Sequence, residues 1–329
     1  MIICRTPFRI SFFGGGTDYP SWSQEHGGMV VSTTINKYSY ITARELPPFF
    51  EYKHRIRYFE QEQVNELEEI RHPSVREAAK YVGYARGLEV VHNADLPARS
   101  GLGSSSTFTV GILHALRALE GYMPTKRELA RDAIYVEQTL IGESVGSQDQ
   151  VAAAFGGLNC ITFSKTGGFE VEPITISAAR TEELLSNLLL CFTGFSRTAS
   201  EIAESQIANT VANSAALQEI VTIADEGLDV LRDSSKDLLD LGELLDRQWQ
   251  AKRSLSDQVS NGAIDEIYSR ALSAGALGGK LLGAGGGGFM LFLAPPNAHK
   301  KIIAALGERM FVPFRFENTG SSVVYYSHG

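Results

Sequence analysis

Hydrophobic and polar positions repeat with two different periods along the chain. Over the first 60 residues, the β-branched and aromatic runs IIC, FRISFF, MVVSTT, YSYITA and RIRYF are broken by Gly, Pro or charge, which predicts strands of an antiparallel sheet. Pro73-Ser74 then opens an apolar-periodic stretch to Tyr84, and GLEVVHN returns to a strand. Phe108, Ile112, Ala115 and Leu119 recur at helical spacing from Ser104 onward. Pro124-Thr125 caps a further helix with Leu129, Ala133, Val136 and Leu140 on one face, and LNCITF and GFEVEPITI form a hairpin around Thr166-Gly167-Gly168. From about residue 180 the texture changes to long helices, expected from Ser200 to Leu231 and from Lys236 to Gln250. KLLG, a glycine run, FMLFLA, a helix ending at Arg309, VPFRFE and SSVVYYS follow. The pattern is that of an α+β chain in two mixed units, 1–180 and 181–329.

At 329 residues the chain exceeds what a single core usually fills, in keeping with two units. The charged residues, 30 Lys plus Arg against 38 Asp plus Glu for a net −8, argue against broad nucleic-acid or anionic-membrane binding and leave a small-molecule partner. There is no apolar run of the roughly 18–20 residues a bilayer requires, and MIICRTPFRISFFGGG lacks a signal-peptide layout, so the expectation is a soluble, cytoplasmic protein. Monomer and homodimer both remain open. Cys4, Cys160 and Cys191 are widely spaced with no C-x-x-C, and the histidines show no ligand spacing, so neither a disulfide framework nor a protein-only zinc site is expected.

Glycine changes the picture most. The chain has 32, where a typical share of ~7% would give about 23. Twelve fall in three short segments: Gly14 to Gly16; Gly101 and Gly103; and Gly278, Gly279, Gly283 and Gly285 to Gly288. Glycine collects where backbone takes positive φ or must approach a ligand. The middle segment, Pro97-Ala-Arg-Ser100-Gly101-Leu102-Gly103-Ser104-Ser105-Ser106, follows a strand and enters a helix. Free N–H groups and the helix dipole would hold an anion there, a polyphosphate clamp; a plain serine-capped helix is the alternative. No Walker A pattern is present, and the G-x-G-x-x-G from Gly283 to Gly288 is followed by a strand, which is the wrong context for a dinucleotide fingerprint. That segment instead predicts two strands joined by a stripped turn, with Gly283, Gly285, Gly286 and Gly287 close to the site.

Taken in order, TPFRISFFGGGTDY, PARSGLGSSS, GSQDQVAAAFGG and KLLGAGGGGF resemble the motifs of the GHMP kinase superfamily across most of the chain. The resemblance implies a ribosomal-S5-like N-terminal domain, a ferredoxin-like C-terminal domain and a site between them. It implies that Pro97 and Ser100 to Ser106 wrap the phosphates of ATP, and that Ser105 and Glu137 hold Mg²⁺. It also implies that Asp149 orients and deprotonates the attacking hydroxyl, with Arg9 paired to it, while Gly15, Gly16, Thr17 and Asp18 contact the sugar. Gly14-Gly15-Gly16 replaces the Gly-Glu-His of galactokinases and mevalonate kinases. With Gly-Ser-Gln-Asp-Gln at 146–150 and Phe-Thr-Gly-Phe-Ser-Arg at 192–197, the chain looks most like the bacterial D-glycero-D-manno-heptose 7-phosphate kinases, which phosphorylate C1 of a sugar phosphate. Arg197 would then grip the sugar's phosphate. The alternatives are another sugar 1-kinase, fucokinase- or galactokinase-like, and a non-catalytic sensor of sugar and ATP on the same fold.

Overall fold

The structure, a computed structural model, describes residues 1–195 and 199–327. The first unit runs β1 (Ile2–Phe13), α1 (Pro20–His26), β2 (Gly28–Glu45), β3 (His54–Arg57), β4 (Gln61–Val64), α2 (Pro73–Val82), β5 (Leu88–Ala94), α3 (Ser104–Leu119), α4 (Lys126–Tyr135), α5 (Gln148–Phe155), β6 (Leu158–Phe163) and β7 (Phe169–Pro173). The second runs α6 (Ala178–Ser186), β8 (Leu188–Phe192), α7 (Ala199–Ala208), α8 (Ser214–Arg232), α9 (Leu241–Arg253), α10 (Gly262–Ser273), β9 (Gly278–Leu281), β10 (Phe289–Leu293) and α11 (His299–Leu306). The short strands β11 (Phe316–Glu317) and β12 (Ser322–Tyr326) end the chain.

The larger sheet has the order β12-β1-β2-β5-β3-β4, with β6 and β11 also on β2 and β7 on β6. Its pairings are antiparallel except that of β3 with β5. β2 is long enough to hold β6 along residues 28–33 and β5 along residues 39–45. The runs IIC and FRISFF are one strand, because Pro7 sits beside a register shift where its missing N–H breaks no ladder. MVVSTT and YSYITA are likewise one. The smaller sheet is antiparallel, ordered β8-β10-β9.

Helix α3 covers 104–119 as its periodicity predicts, and Thr125 caps α4 in a reciprocal box with Glu128. Leu140 leaves the apolar face because the chain winds as a π-helix over Val136–Ile141. The long helix expected from Ser200 to Leu231 breaks between α7 and α8, where the Asn213 side chain turns away to donate to Leu255 O at 2.7 Å.

Two observations fix how the units sit. Phe8, Ile10 and Phe12 of β1 share a core with Leu190 of β8, Ile223 of α8, Leu245 of α9 and Leu291 of β10. The tail then returns to the first sheet: β12 pairs with β1 and β11 with β2. A division at residue 180 therefore follows the order of the chain but not the membership of its last two strands. Among the described residues, no helix is long and apolar enough to cross a membrane.

Candidate active site

The three glycine segments meet at one cavity of about 320 Å³ between the units, within the range of small-ligand sites. Its first wall is the loop between β5 and α3. Gly101 and Gly103 take left-handed φ of 80° and 78°, and Gly103 is an N-cap without a side-chain acceptor, so the first N–H groups of α3 are left for a ligand. Arg99, Gly101, Gly103, Ser104, Ser105 and Ser106 line the cavity. Ser100 and Leu102 are buried beneath the loop, and Pro97 is on its exposed outer side. The third glycine segment presses on this loop from the second unit. A Cβ on Gly101 would come within 2.4 Å of Leu282 O, one on Gly283 within 2.5 Å of Gly101 Cα, and one on Gly288 within 2.3 Å of Ser100 O. Gly283 lines the cavity. Gly285 and Gly287 instead back onto Val259 and Phe195, with Gly286 donating to Val259 O at 2.9 Å.

The floor is an ion pair. Arg9 of β1 donates from Nε to Asp149 Oδ1 at 2.7 Å and from Nη2 to Oδ2 at 2.8 Å, a bidentate fork. Its Nη1 donates to Gly101 O at 2.6 Å, tying the pair to the glycine loop. Asp149 stands in the first turn of α5 with its side chain 23% exposed, while Arg9 is buried. The carboxylate is thus held by the arginine yet open to the cavity.

Asp18 lies beside it, almost fully buried. It accepts from Gly16 N at 3.0 Å, Gln148 N at 3.1 Å and Gln148 Nε2 at 2.9 Å. Burial raises its pKa, the charge of Asp149 adds to that rise, and the N–H bonds oppose it. Gly15 and Gly16 line the cavity with Asp18. Thr17 is buried in the scaffold instead, its hydroxyl donating to Gly14 O at 2.8 Å and accepting from Met29 N at 3.1 Å.

Glu137 sits in the π-helical turn after α4, a form of backbone that recurs at functional sites. It is fully buried. Oε2 accepts from Ser106 Oγ at 2.8 Å and from the Gln150 amide, whereas Oε1 has no partner. Burial pushes its carboxyl up to about 7. Ser106 is therefore the serine that reaches Glu137, and Ser105 stands exposed one position away on the cavity side. Among the described residues no cluster of three or more acidic, His or Cys side chains could cage a metal alone. One orphaned carboxylate oxygen with neighbouring hydroxyls, at the end of an anion loop, fits a magnesium ion that is otherwise held by phosphate and water.

Several cavity residues have no role assigned from the sequence: Lys252 of α9 and Gln206 lie outside the motifs, while Tyr19, Gln148 and Lys280 sit inside them. Lys252 and Lys280 of β9 are buried in the wall, Tyr19 and Gln148 line the cavity near Asp18, and Gln206 donates to Ala284 O at 2.7 Å. The signal for the lysines is a cation at a core position. Lys252 continues the apolar stripe Leu241, Leu245, Trp249, and Lys280 interrupts an otherwise apolar strand. Arg197 lies outside the described residues.

A glycine-built anion loop tied directly to an Arg–Asp pair, at the floor of a cleft closed by the second unit, suits an enzyme that moves a phosphoryl group. The models described as GHMP kinases N terminal domain and GHMP kinases C terminal match residues 73–157 and 228–312, together just over half of the chain. The chain belongs to the GHMP kinases, a family of enzymes that use ATP. It is similar to the D-glycero-alpha-D-manno-heptose 7-phosphate kinase of Campylobacter jejuni, 28% identical over 92% of each chain. It is also similar to the galactokinase of Pyrococcus furiosus, 26% identical over 96% of this chain and 95% of that one. The crystal structure of a D-glycero-D-manno-heptose 1-phosphate kinase from Bacteroides thetaiotaomicron shares the fold at a TM-score of 0.81, with 24% identity and full coverage of both chains.

Proposed function

We propose that the protein transfers the γ-phosphoryl group of ATP to the anomeric C1 hydroxyl of D-glycero-D-manno-heptose 7-phosphate, giving the 1,7-bisphosphate used to build nucleotide-activated heptose for surface polysaccharide. The observation that carries the chemistry is the Arg9–Asp149 fork at the floor of the cavity, joined through Gly101 to the phosphate loop. The choice of sugar is supported by the similarity to the Campylobacter jejuni enzyme.

In this reading the phosphates lie against α3 and the N–H groups of Gly103 to Ser106. Asp149 orients the C1 hydroxyl and accepts its proton as that oxygen bonds to the γ-phosphorus, and the bond to the β-phosphate oxygen breaks to release ADP. Asp18, fixed by Gly16 and Gln148, faces the vicinal hydroxyls of the ring. Ser105, Ser106 and Glu137 would hold Mg²⁺, which would neutralise charge on the transferring phosphates. The test is ADP release with ATP, Mg²⁺ and a panel of sugars and sugar 7-phosphates. Fastest turnover on heptose 7-phosphate is expected; faster turnover on free fucose or galactose would assign the protein to another sugar 1-kinase class.

A further inference from the structure

We propose that Lys252 and Lys280 are catalytic residues that hold the phosphoryl group in flight, Lys252 from the donor side and Lys280 from the acceptor side. The inference rests on the site being a phosphoryl-transfer site, not on which sugar it uses. Both ammonium groups are buried, Lys252 at 5% and Lys280 at 2% exposure, and neither forms an ion pair with a carboxylate among the described residues. An isolated buried cation is costly unless something anionic completes its surroundings. Each ammonium has three donors. Lys280 Nζ gives one to Phe12 O at 3.0 Å, and Lys252 Nζ reaches Gly283 O and, at 3.5 Å, Leu281 O. N–H groups remain for a ligand in the cavity that both residues line.

Their anchors place them. Phe12 is the next-to-last residue of β1, the strand that feeds Gly14 to Gly16, the acceptor loop, whereas Gly283 packs on Gly101 in the phosphate loop. The two ammoniums thus bracket the gap between donor and acceptor, beside Arg9 and Asp149. The cavity wall carries four cationic side chains, Arg9, Arg99, Lys252 and Lys280, against the carboxylates Asp18, Glu143 and Asp149. An incoming anion completes that balance, and charge on the equatorial oxygens of a loose transition state is what two ammoniums can stabilise. Burial and the charge of Arg9 lower Lys252 to about 8, while Asp18 and Asp149 oppose the fall. Burial, then Lys252 and Arg9, push Lys280 well below its usual value. A bound phosphoryl group would reverse both shifts.

The experiment uses the full chain with Lys252→Met, Lys280→Met and Lys252→Arg, each checked for an unchanged thermal midpoint. With whichever sugar the unaltered enzyme phosphorylates, kcat should fall about 10²–10³-fold in the methionine variants. The KM values should move less than threefold, and Lys252→Arg should recover part of the loss. A second readout needs no acceptor: calorimetric binding of Mg²⁺, ADP and aluminium fluoride, a mimic of the phosphoryl group. The unaltered protein should bind ADP more tightly with the fluoride than without it, and take up protons at pH 8 as it does so. Each methionine variant should keep affinity for ADP alone, lose most of the gain and show a smaller uptake, since one lysine remains. An unchanged kcat with an undiminished fluoride gain would overturn the proposal, as would a raised KM for the sugar phosphate with kcat retained. If heptose 7-phosphate is not turned over but another sugar is, the reading of the substrate fails and the lysine test runs on that sugar.

Discussion

Asp149 depends on Arg9 for its orientation: two of the arginine's donors fix both carboxylate oxygens, and a third fixes the loop that would carry the phosphates. If the carboxylate accepts the proton of the attacking hydroxyl, Asp149→Asn keeps ATP affinity and lowers kcat by about 10²–10⁴-fold, since an amide accepts no proton there. Equilibrium ATP binding and steady-state turnover on the same variant check this; an unchanged kcat would remove the base role. Arg9, Asp18, Asp149 and the Gly101–Ser106 loop were legible because each lies in a short motif whose glycines and charges are visible in one dimension. Which serine meets Glu137 was not. Adjacent residues on a helix point about 100° apart, so three consecutive serines each face a different way, and only the packing of α3 against the π-turn selects Ser106. Lys252 lies in no motif, and Lys280 opens KLLGAGGGGF, where the glycines alone draw notice; the meaning of both depends on α9 and β9 closing over a loop some 150 or more residues earlier.

Among the elements, α3 is the best specified, with one glycine-capped end, a continuous apolar core and boundaries that match its periodicity. β1 was harder to read because a proline usually ends a strand and here sits at a bulge. The packing of α3 on α2 and β5 also has a pH dependence. The Phe108 ring stacks on His72 and meets His92 edge-on, and His114 lies further along α3. Burial lowers all three histidines to about 4, from an ordinary value near 6.5. Between those values the unfolded chain binds more protons than the folded one, so stability present above pH 6.5 is lost as pH falls toward 4. The loss is about 1.4 kcal/mol per pH unit for each histidine. Thermal midpoints measured across that window should fall with pH, and His92→Gln should flatten the slope; an identical slope would show that other groups carry it.

For the whole molecule, the α+β character, the change of texture near residue 180 and the convergence of three glycine loops could be read from the chain. The closing of its ends could not: residues 316–326 carry ordinary strand signals, and nothing local says that they pair with β1 and β2 rather than with their sequence neighbours. That return, with the shared core of Phe8, Ile10 and Phe12, fixes the Gly283 loop against Gly101 and sets the width of the cleft. The cleft is where the central claim is decided. The most direct measurement is phosphorus and carbon NMR of the product formed from ATP, Mg²⁺ and D-glycero-D-manno-heptose 7-phosphate. The account predicts a second phosphorus resonance coupled to the anomeric carbon, with one ADP released per sugar; no new phosphate ester, or one on any other carbon, would contradict it.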